Sequence, residues 1–134
     1  MIYDWQERTA MLVGEQMLEN FRNSTVAVIG VGGVGGYAAE MVVRAGIGHL
    51  IILDSDDVSV TNKNRQLLAL DSTVGRPKCD VLAERLLDIN PQLERIRIRT
   101  LPGYRIWCPP EISCSCPHME LWIPYPEVLP RTRP

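Results

Sequence analysis

The sequence predicts an α/β fold built on a mostly parallel sheet, and three observations support that expectation. An apolar, strand-forming run from Val26 to Ile29 leads into Gly30-Val-Gly-Gly-Val-Gly35, where Gly30, Gly32 and Gly35 keep a G-x-G-x-x-G spacing and Gly33 adds another glycine. A helical pattern follows from about Gly35 to Ala45, closed by Gly46-Ile-Gly48. A second apolar run, His49 to Leu53, then ends in Asp54-Ser-Asp56-Asp57, as a strand buried in a parallel sheet would. Strand, tight turn, helix and strand in this order form a Rossmann-like unit with a glycine-rich phosphate loop. The glycines let the chain bend sharply and bring backbone N–H groups up to a pyrophosphate, while the helix opening near Val34 turns its positive end toward the anion. Glycine-rich turns also serve close helix–strand packing, so the turn alone leaves both readings open.

The chain has 134 residues, 46% hydrophobic and 22% charged, which fits one domain on a scale of roughly 100 to 200 residues. A formal net charge of -2 gives no general attraction for nucleic acid or acidic membranes; an RNA partner would need a local basic patch. The start, Met-Ile-Tyr-Asp-Trp-Gln-Glu, lacks the basic and apolar parts of a signal peptide, and no apolar run reaches the roughly 18 residues of a membrane span. A cytoplasmic address is expected. Only Cys79 of the four cysteines precedes residue 100, so no disulfide framework is expected there.

In chain order, Asp4 with Glu7 has the spacing of a capping box, opening a helix in which Trp5, Met11 and Leu12 face inward and which Gly14 breaks. A second helix, Glu15 to Asn20, brings Met17, Leu18 and Phe21 onto the domain. Arg8, on the first helix, reads from the residues alone as a solvated charge. Along the helix after the glycine turn, Ala38, Met41, Val42 and Ala45 share one side. His49 is most simply a strand-entry residue. Asp54 stands 24 residues after Gly30, where an acid at the tip of the second strand accepts hydrogen bonds from a ribose.

The polar stretch Thr61-Asn-Lys-Asn-Arg-Gln66 reads either as a solvated loop or as a grip on phosphate oxygens, with the planar fork of Arg65 suited to the second. Val74-Gly-Arg-Pro-Lys78 leads into a helix with Val81, Leu82, Leu86 and Ile89 on one stripe, ended by Asn90-Pro91. A lysine in a helix's first turn opposes the helix dipole, so an anionic ligand explains Lys78 better than helix stability does. Glu94 to Arg99 alternates, with Ile96 and Ile98 toward the core and Arg95, Arg97 and Arg99 outward.

Beyond Thr100 the composition changes: residues 101–134 hold eight of ten prolines, three of four cysteines and two of three tryptophans. No helix or strand period is expected through them. The segment reads as an irregular tail, out of frame or truncated, or alternatively as a metal site of Cys108, Cys114, Cys116 and His118, whose spacing lacks the paired C-x2-C knuckles of ordinary zinc sites. No metal ligand is assigned.

Residues 1–100 resemble the adenylating domain of ubiquitin-activating, E1-like enzymes, the ThiF/MoeB/HesA family. The resemblance lies in Gly30-Val-Gly-Gly-Val-Gly35, Asp54-Ser-Asp56, Asn64-Arg-Gln66 and Gly75-Arg-Pro-Lys78, in that order. Thr61-Asn-x-Asn-Arg-Gln66 and the leader Trp5-x-x-Arg8 through Leu12-x-Gly14 are most similar to the branch of tRNA threonylcarbamoyladenosine dehydratases. The resemblance implies ATP and Mg as cofactors: Gly30, Gly32, Gly33, Val34 and Gly35 at the phosphates, Asp54 at the ribose and Asp56 at a neighbouring polar contact. Arg65 and Lys78 would neutralise charge while a carboxylate attacks the α-phosphorus, with Asn64 and Gln66 orienting them. Arg8 matches an arginine that reaches into the ATP site of a second subunit, so a homodimer is implied. The acceptor implied is tRNA carrying threonylcarbamoyladenosine; a ubiquitin-like sulfur-carrier protein is the alternative. An NAD-binding oxidoreductase would share the glycine turn and Asp54 without needing Arg65 and Lys78, and a non-catalytic nucleotide-binding fragment remains a further class. Because the match stops near Thr100, the strands of a 3-2-1-4 order are expected to end with Val26–Ile29 at an edge. The chain by itself is then expected to be aggregation-prone and without turnover.

Overall fold

The computed structural model describes residues 3–98, together with Ile106–Trp107 and Glu120–Leu121. It falls into two compact units, Met1–Thr100 and Leu101–Pro134.

The first unit opens with a 3-10 turn, Asp4–Gln6, running into α1, Glu7–Val13, and then α2, Glu15–Arg22. Gly14 separates the two helices with φ 82° and ψ 159°, a conformation a side chain would strain. The strands β1 (Thr25–Ile29), β2 (His49–Leu53) and β3 (Glu94–Ile98) pair in the order β1-β2-β3, both pairs parallel. Register sets Ala27 beside Ile51 and Ile51 beside Ile96. α3 (Gly35–Ala45) makes the crossover from β1 to β2, and α4 (Lys78–Ile89) belongs to the longer one from β2 to β3. This is an α/β, Rossmann-like arrangement. Its core joins Val43, Leu50, Ile52, Leu82 and Leu86, each at most 1% exposed, to buried Val31 and Leu68. No helix among the described residues is long and apolar enough to cross a membrane.

Three inward faces differ from expectation. Asp4 caps nothing: the helical turn starts at Asp4 itself, so its N-cap is Tyr3, which makes no side-chain cap bond. Gln6 is the buried residue there, while Trp5, Met11 and Leu12 are exposed, Leu12 to 85%. Counting from Gln6, the inward positions of a helix are Thr9 and Ala10, which are half-buried. Trp5 instead lies parallel to Tyr3, ring centroids 6.4 Å apart. In α2, Leu18 is buried as expected, Met17 is exposed, and the helix runs on to Arg22. In α3 the buried residues are Gly36, Ala39, Glu40 and Val43, whereas Ala38 and Met41 face outward. The glycine turn sets that phase, because Gly36 must lie against the Val31 carbonyl. The α4 stripe follows its apolar spacing: Val81, Leu82 and Leu86 are buried and Ile89 is half-buried.

At the ends of the sheet, His49 Nδ1 lies 3.4 Å from the Glu94 carboxylate, across the first residue pair of β2 and β3. The facing of Ile96, Ile98, Arg95 and Arg97 lies outside the described side chains, as do Arg99 and the Cys108, Cys114, Cys116 and His118 set. In the second unit β4 (Ile106–Trp107) pairs antiparallel with β5 (Glu120–Leu121), so two residue pairs of the segment read as irregular do form a ladder. The sequence of both short strands is free of proline, so each keeps its ladder donors.

Candidate functional site

The carboxyl ends of β1 and β2 and the first turns of α3 and α4 converge on one set of backbone and side-chain groups. Gly30 extends the β1–β2 ladder by donating its N–H to Leu53 O at 2.8 Å, then turns away at φ 79°. Gly35 lies so close that a Cβ on it would fall 1.7 Å from Gly30 O, so the G-x-G-x-x-G spacing is required here by backbone contact. α3 starts from Val34 and α4 from Pro77, and neither start has a side-chain cap.

Asp54 ties the second strand to this turn. Its Oδ2 accepts from Val31 N–H and its Oδ1 from Asp56 N–H, both at 2.8 Å. The carboxylate read as a ribose acceptor therefore also shapes the glycine turn. Asp56 in turn fixes Lys78 twice: its carbonyl accepts from Lys78 N–H at 3.0 Å and its Oδ2 from Lys78 Nζ at 2.8 Å. Lys78 is 5% exposed, and the anion beside it in this structure is the Asp56 carboxylate. The Lys78 hydrogen bond and charge hold the Asp56 carboxyl below its usual range, against a smaller opposing effect of burial. A buried ammonium bonded to one carboxylate oxygen keeps further N–H donors for a second anion.

The loop between β2 and α4 brings in the remaining residues. Its base is closed by Val58 N–H donating to Arg76 O at 2.9 Å and Gly75 N–H to Val58 O at 2.8 Å. The Arg65 stem runs beside Gly33, where a Cβ would lie 3.6 Å from Arg65 Cγ. Its guanidinium is exposed and donates to Oδ1 of the exposed Asn64 at 2.8 Å. Gln66 is buried, with Nε2 3.4 Å from the position of a Cβ on Gly32 and with Oε1 lacking a hydrogen-bond partner. Arg8 is exposed on α1, and none of the described bonds ties it to this cluster.

Two supports escaped sequence reasoning. Ser59 and Asn62 cap the 3-10 turn Val60–Asn62 reciprocally, and Asn62 O accepts from both Arg65 N–H and Gln66 N–H. The Ser-x-x-Asn spacing was a usable signal for that cap. Glu40, buried in α3, receives bonds from Arg44 and Arg85; no apolar periodicity reveals it.

The arrangement can receive a polyanion at two helix starts and a glycine turn, with Lys78 and Arg65 beside it. Comparison with known proteins assigns the segment that carries these parts to a family. The ThiF family matches residues 6–104. The tRNA threonylcarbamoyladenosine dehydratase of Bacillus subtilis is 52% identical over 92 residues, 69% of this chain and 36% of that protein. The molybdopterin-synthase adenylyltransferase of Escherichia coli is 41% identical over 75 residues, 56% of this chain and 30% of that protein. The E. coli tRNA N6-threonylcarbamoyladenosine dehydratase, solved with AMP and with ATP, superposes with a TM-score of 0.70 at 44% identity, covering 75% of this chain and 43% of that one. The chain thus spans less than half the length of the relatives it matches. Since the family match extends from the first helical turn past the third strand, the chain belongs to the ThiF family.

Proposed function

We propose that residues 1–100 form the nucleotide-holding part of an adenylating domain that binds ATP with Mg and activates a carboxylate, in the cyclisation of threonylcarbamoyladenosine in tRNA. The observation supporting this reading is the chain of bonds that links the nearly buried Lys78 to Asp56, Asp56 to Asp54, and Asp54 to Val31 in the glycine turn. ATP supplies an α-phosphorus open to attack by a carboxylate, with pyrophosphate as leaving group. Gly35 has no room for a Cβ against Gly30 O, which keeps the turn tight, and a tight glycine turn lets backbone N–H groups approach a pyrophosphate. Gly30 N–H and Val31 N–H are taken up by Leu53 O and Asp54, so the N–H groups from Gly32 to Gly35 and the start of α3 hold phosphate oxygens, while Gly30 shapes the turn and Asp54 keeps lone pairs for ribose hydroxyls. Lys78 and Arg65 stabilise charge that builds on the phosphates as the bond to pyrophosphate breaks. Asn64 holds Arg65, and Gln66 packs over Gly32 with an acceptor to spare. Mg travels with the triphosphate; among the described residues no group of three His, Cys, Asp or Glu side chains would hold it alone.

A nicotinamide dinucleotide would use the glycine turn and Asp54 but gives Lys78 no role beyond its pair with Asp56. Adenylation of a sulfur-carrier protein is the second reading, favoured by the likeness to the E. coli adenylyltransferase. A homodimer fits the outward apolar residues Met11 and Leu12 beside the exposed Arg8, which would then serve the partner's site.

The acceptor is tested with residues 1–100 joined to the remaining length of the B. subtilis dehydratase, measuring pyrophosphate release. Release with threonylcarbamoyladenosine tRNA and none with a sulfur-carrier protein is expected. The opposite pattern selects the second reading, and release with neither contradicts both. Lys78→Ala and Arg65→Ala should each slow release about a hundredfold, roughly 3 kcal/mol of transition-state stabilisation.

A further inference from the structure

Glu40 lies on α3, one and a half turns from the glycine turn, and is only 5% exposed. Its carboxylate receives two arginines of different origin. Arg44, one turn along the same helix, donates Nε–H to Oε1 at 2.9 Å. Arg85, on α4, donates Nε–H to Oε2 at 2.6 Å and approaches Oε1 with Nη2 at 3.4 Å. The second contact is a fork across the two helices, a geometry with orientation as well as charge. Arg85 and Arg44 keep Glu40 ionised by lowering its pKa against the effect of burial.

The two helices so joined are those whose first turns carry the phosphate-binding groups. Glu40 is five residues from Gly35 and Arg85 is seven from Lys78, about 8 Å and about 10 Å along the axes. Rigid helices transmit a fixed contact at mid-length to their ends. We infer that the Glu40–Arg85 fork is a positioning device: it fixes where Lys78 stands relative to the glycine turn, and so sets how strongly the site prefers a triphosphate over the bare nucleoside. This rests on the ATP reading above. Arg44 supplies an internal comparison, because it shares the carboxylate and is similarly exposed (50% against 42% for Arg85) but bridges nothing.

The test measures dissociation constants of the full chain for Mg-ATP and for adenosine, alongside melting temperature, in wild type, Arg44→Met, Arg85→Met and Arg85→Lys. Methionine keeps an unbranched apolar stem and a helix propensity similar to arginine's while removing the guanidinium. Arg85→Met should reduce the ATP-over-adenosine preference about tenfold, within the hundredfold that a misplaced group can cost. Arg44→Met should leave the preference within about twofold of wild type, because helix-internal pairs hold little energy. Arg85→Lys, which keeps the charge without the fork, should recover part of the preference and guards against a folding defect in the methionine variant. Equal losses for Arg44→Met and Arg85→Met, or no loss for Arg85→Met at matched melting temperature, would overturn the positioning role. A wild type with no preference for ATP over adenosine would instead defeat the ATP reading itself.

Discussion

Helices α1 and α4 use opposite faces of the same chemistry. α4 turns Val81, Leu82 and Leu86 into the core and keeps charged Arg85 and Glu84 outside. α1 leaves Met11 at 78% and Leu12 at 85% exposed, while the buried residue of the turn that precedes it is the polar Gln6. The region from β1 through α4 is held together by contacts between its own atoms, several of them backbone to backbone, with β1 at the edge of the described sheet and Val34, Met41 and Val60 exposed. The N-terminal pair of helices offers apolar surface outward, which the proposed second subunit would cover. The difference separates two kinds of dependence: changes in the closed region should damage folding or nucleotide binding in a single chain, and changes on α1 should damage only association.

The largest effect is expected at Gly35. Because a Cβ there would sit 1.7 Å from Gly30 O, Gly35→Ala must displace backbone on one side or the other. Loss of the cooperative thermal transition, or loss of all ATP binding in a protein that still melts, is the expected result; a variant that melts and binds as wild type would show that the turn is not closed as described.

A smaller effect, with a defined pH window, is expected at Glu40. Arg85 first, and Arg44 with it, hold this carboxyl below the ordinary glutamate range, with burial opposing them. A carboxylate with a depressed folded pKa adds stability that is fully present above its unfolded value, roughly 4.3, and is lost as pH falls through the lower folded value. The melting temperature of Glu40→Gln should therefore lie well below wild type at pH 7, with the gap closing as pH falls below about 4. A gap of constant width across that range would mean that the ion pair contributes no stability. Asp56 follows the same sign through Lys78, but its exposed carboxyl is screened and should add less.

The smallest effect on the single chain is expected on α1. Met11→Ser with Leu12→Ser removes only exposed apolar surface, so the unfolding free energy should change by no more than about 0.5 kcal/mol. Sedimentation of the double variant should nevertheless show less self-association than wild type; loss of stability without a change in association would mean that α1 belongs to the closed region after all.

This contrast also explains what could be read from the residues. β1, β2, the glycine turn and α4 were legible because each has one dominant cause: an apolar run, a backbone contact that only glycine allows, or a stripe at helical spacing. The phase of α3 was not, since apolar spacing favours Met41 while the turn that begins the helix forces Gly36, Ala39, Glu40 and Val43 inward. α1 failed in the same way, with Gln6 inside and Met11 outside. At the site, the grouping of Gly30–Gly35, Asp54, Asp56, Arg65, Gln66 and Lys78 was legible from motif order. The bonds among them were not: no spacing reveals that Asp54 holds Val31 N–H or that Asn62 holds Arg65 and Gln66 in place.

On the proposed reading, the glycine turn and Lys78 together receive a triphosphate. Calorimetric titration of the 134-residue chain with Mg-ATP, adenosine and NAD, repeated on Lys78→Ala, tests it most directly. ATP should bind more tightly than adenosine or NAD, and Lys78→Ala should lose about tenfold in ATP affinity, the worth of a charge-assisted hydrogen bond, while adenosine is unaffected. NAD binding as tightly as ATP, with Lys78→Ala indistinguishable from wild type, would contradict it.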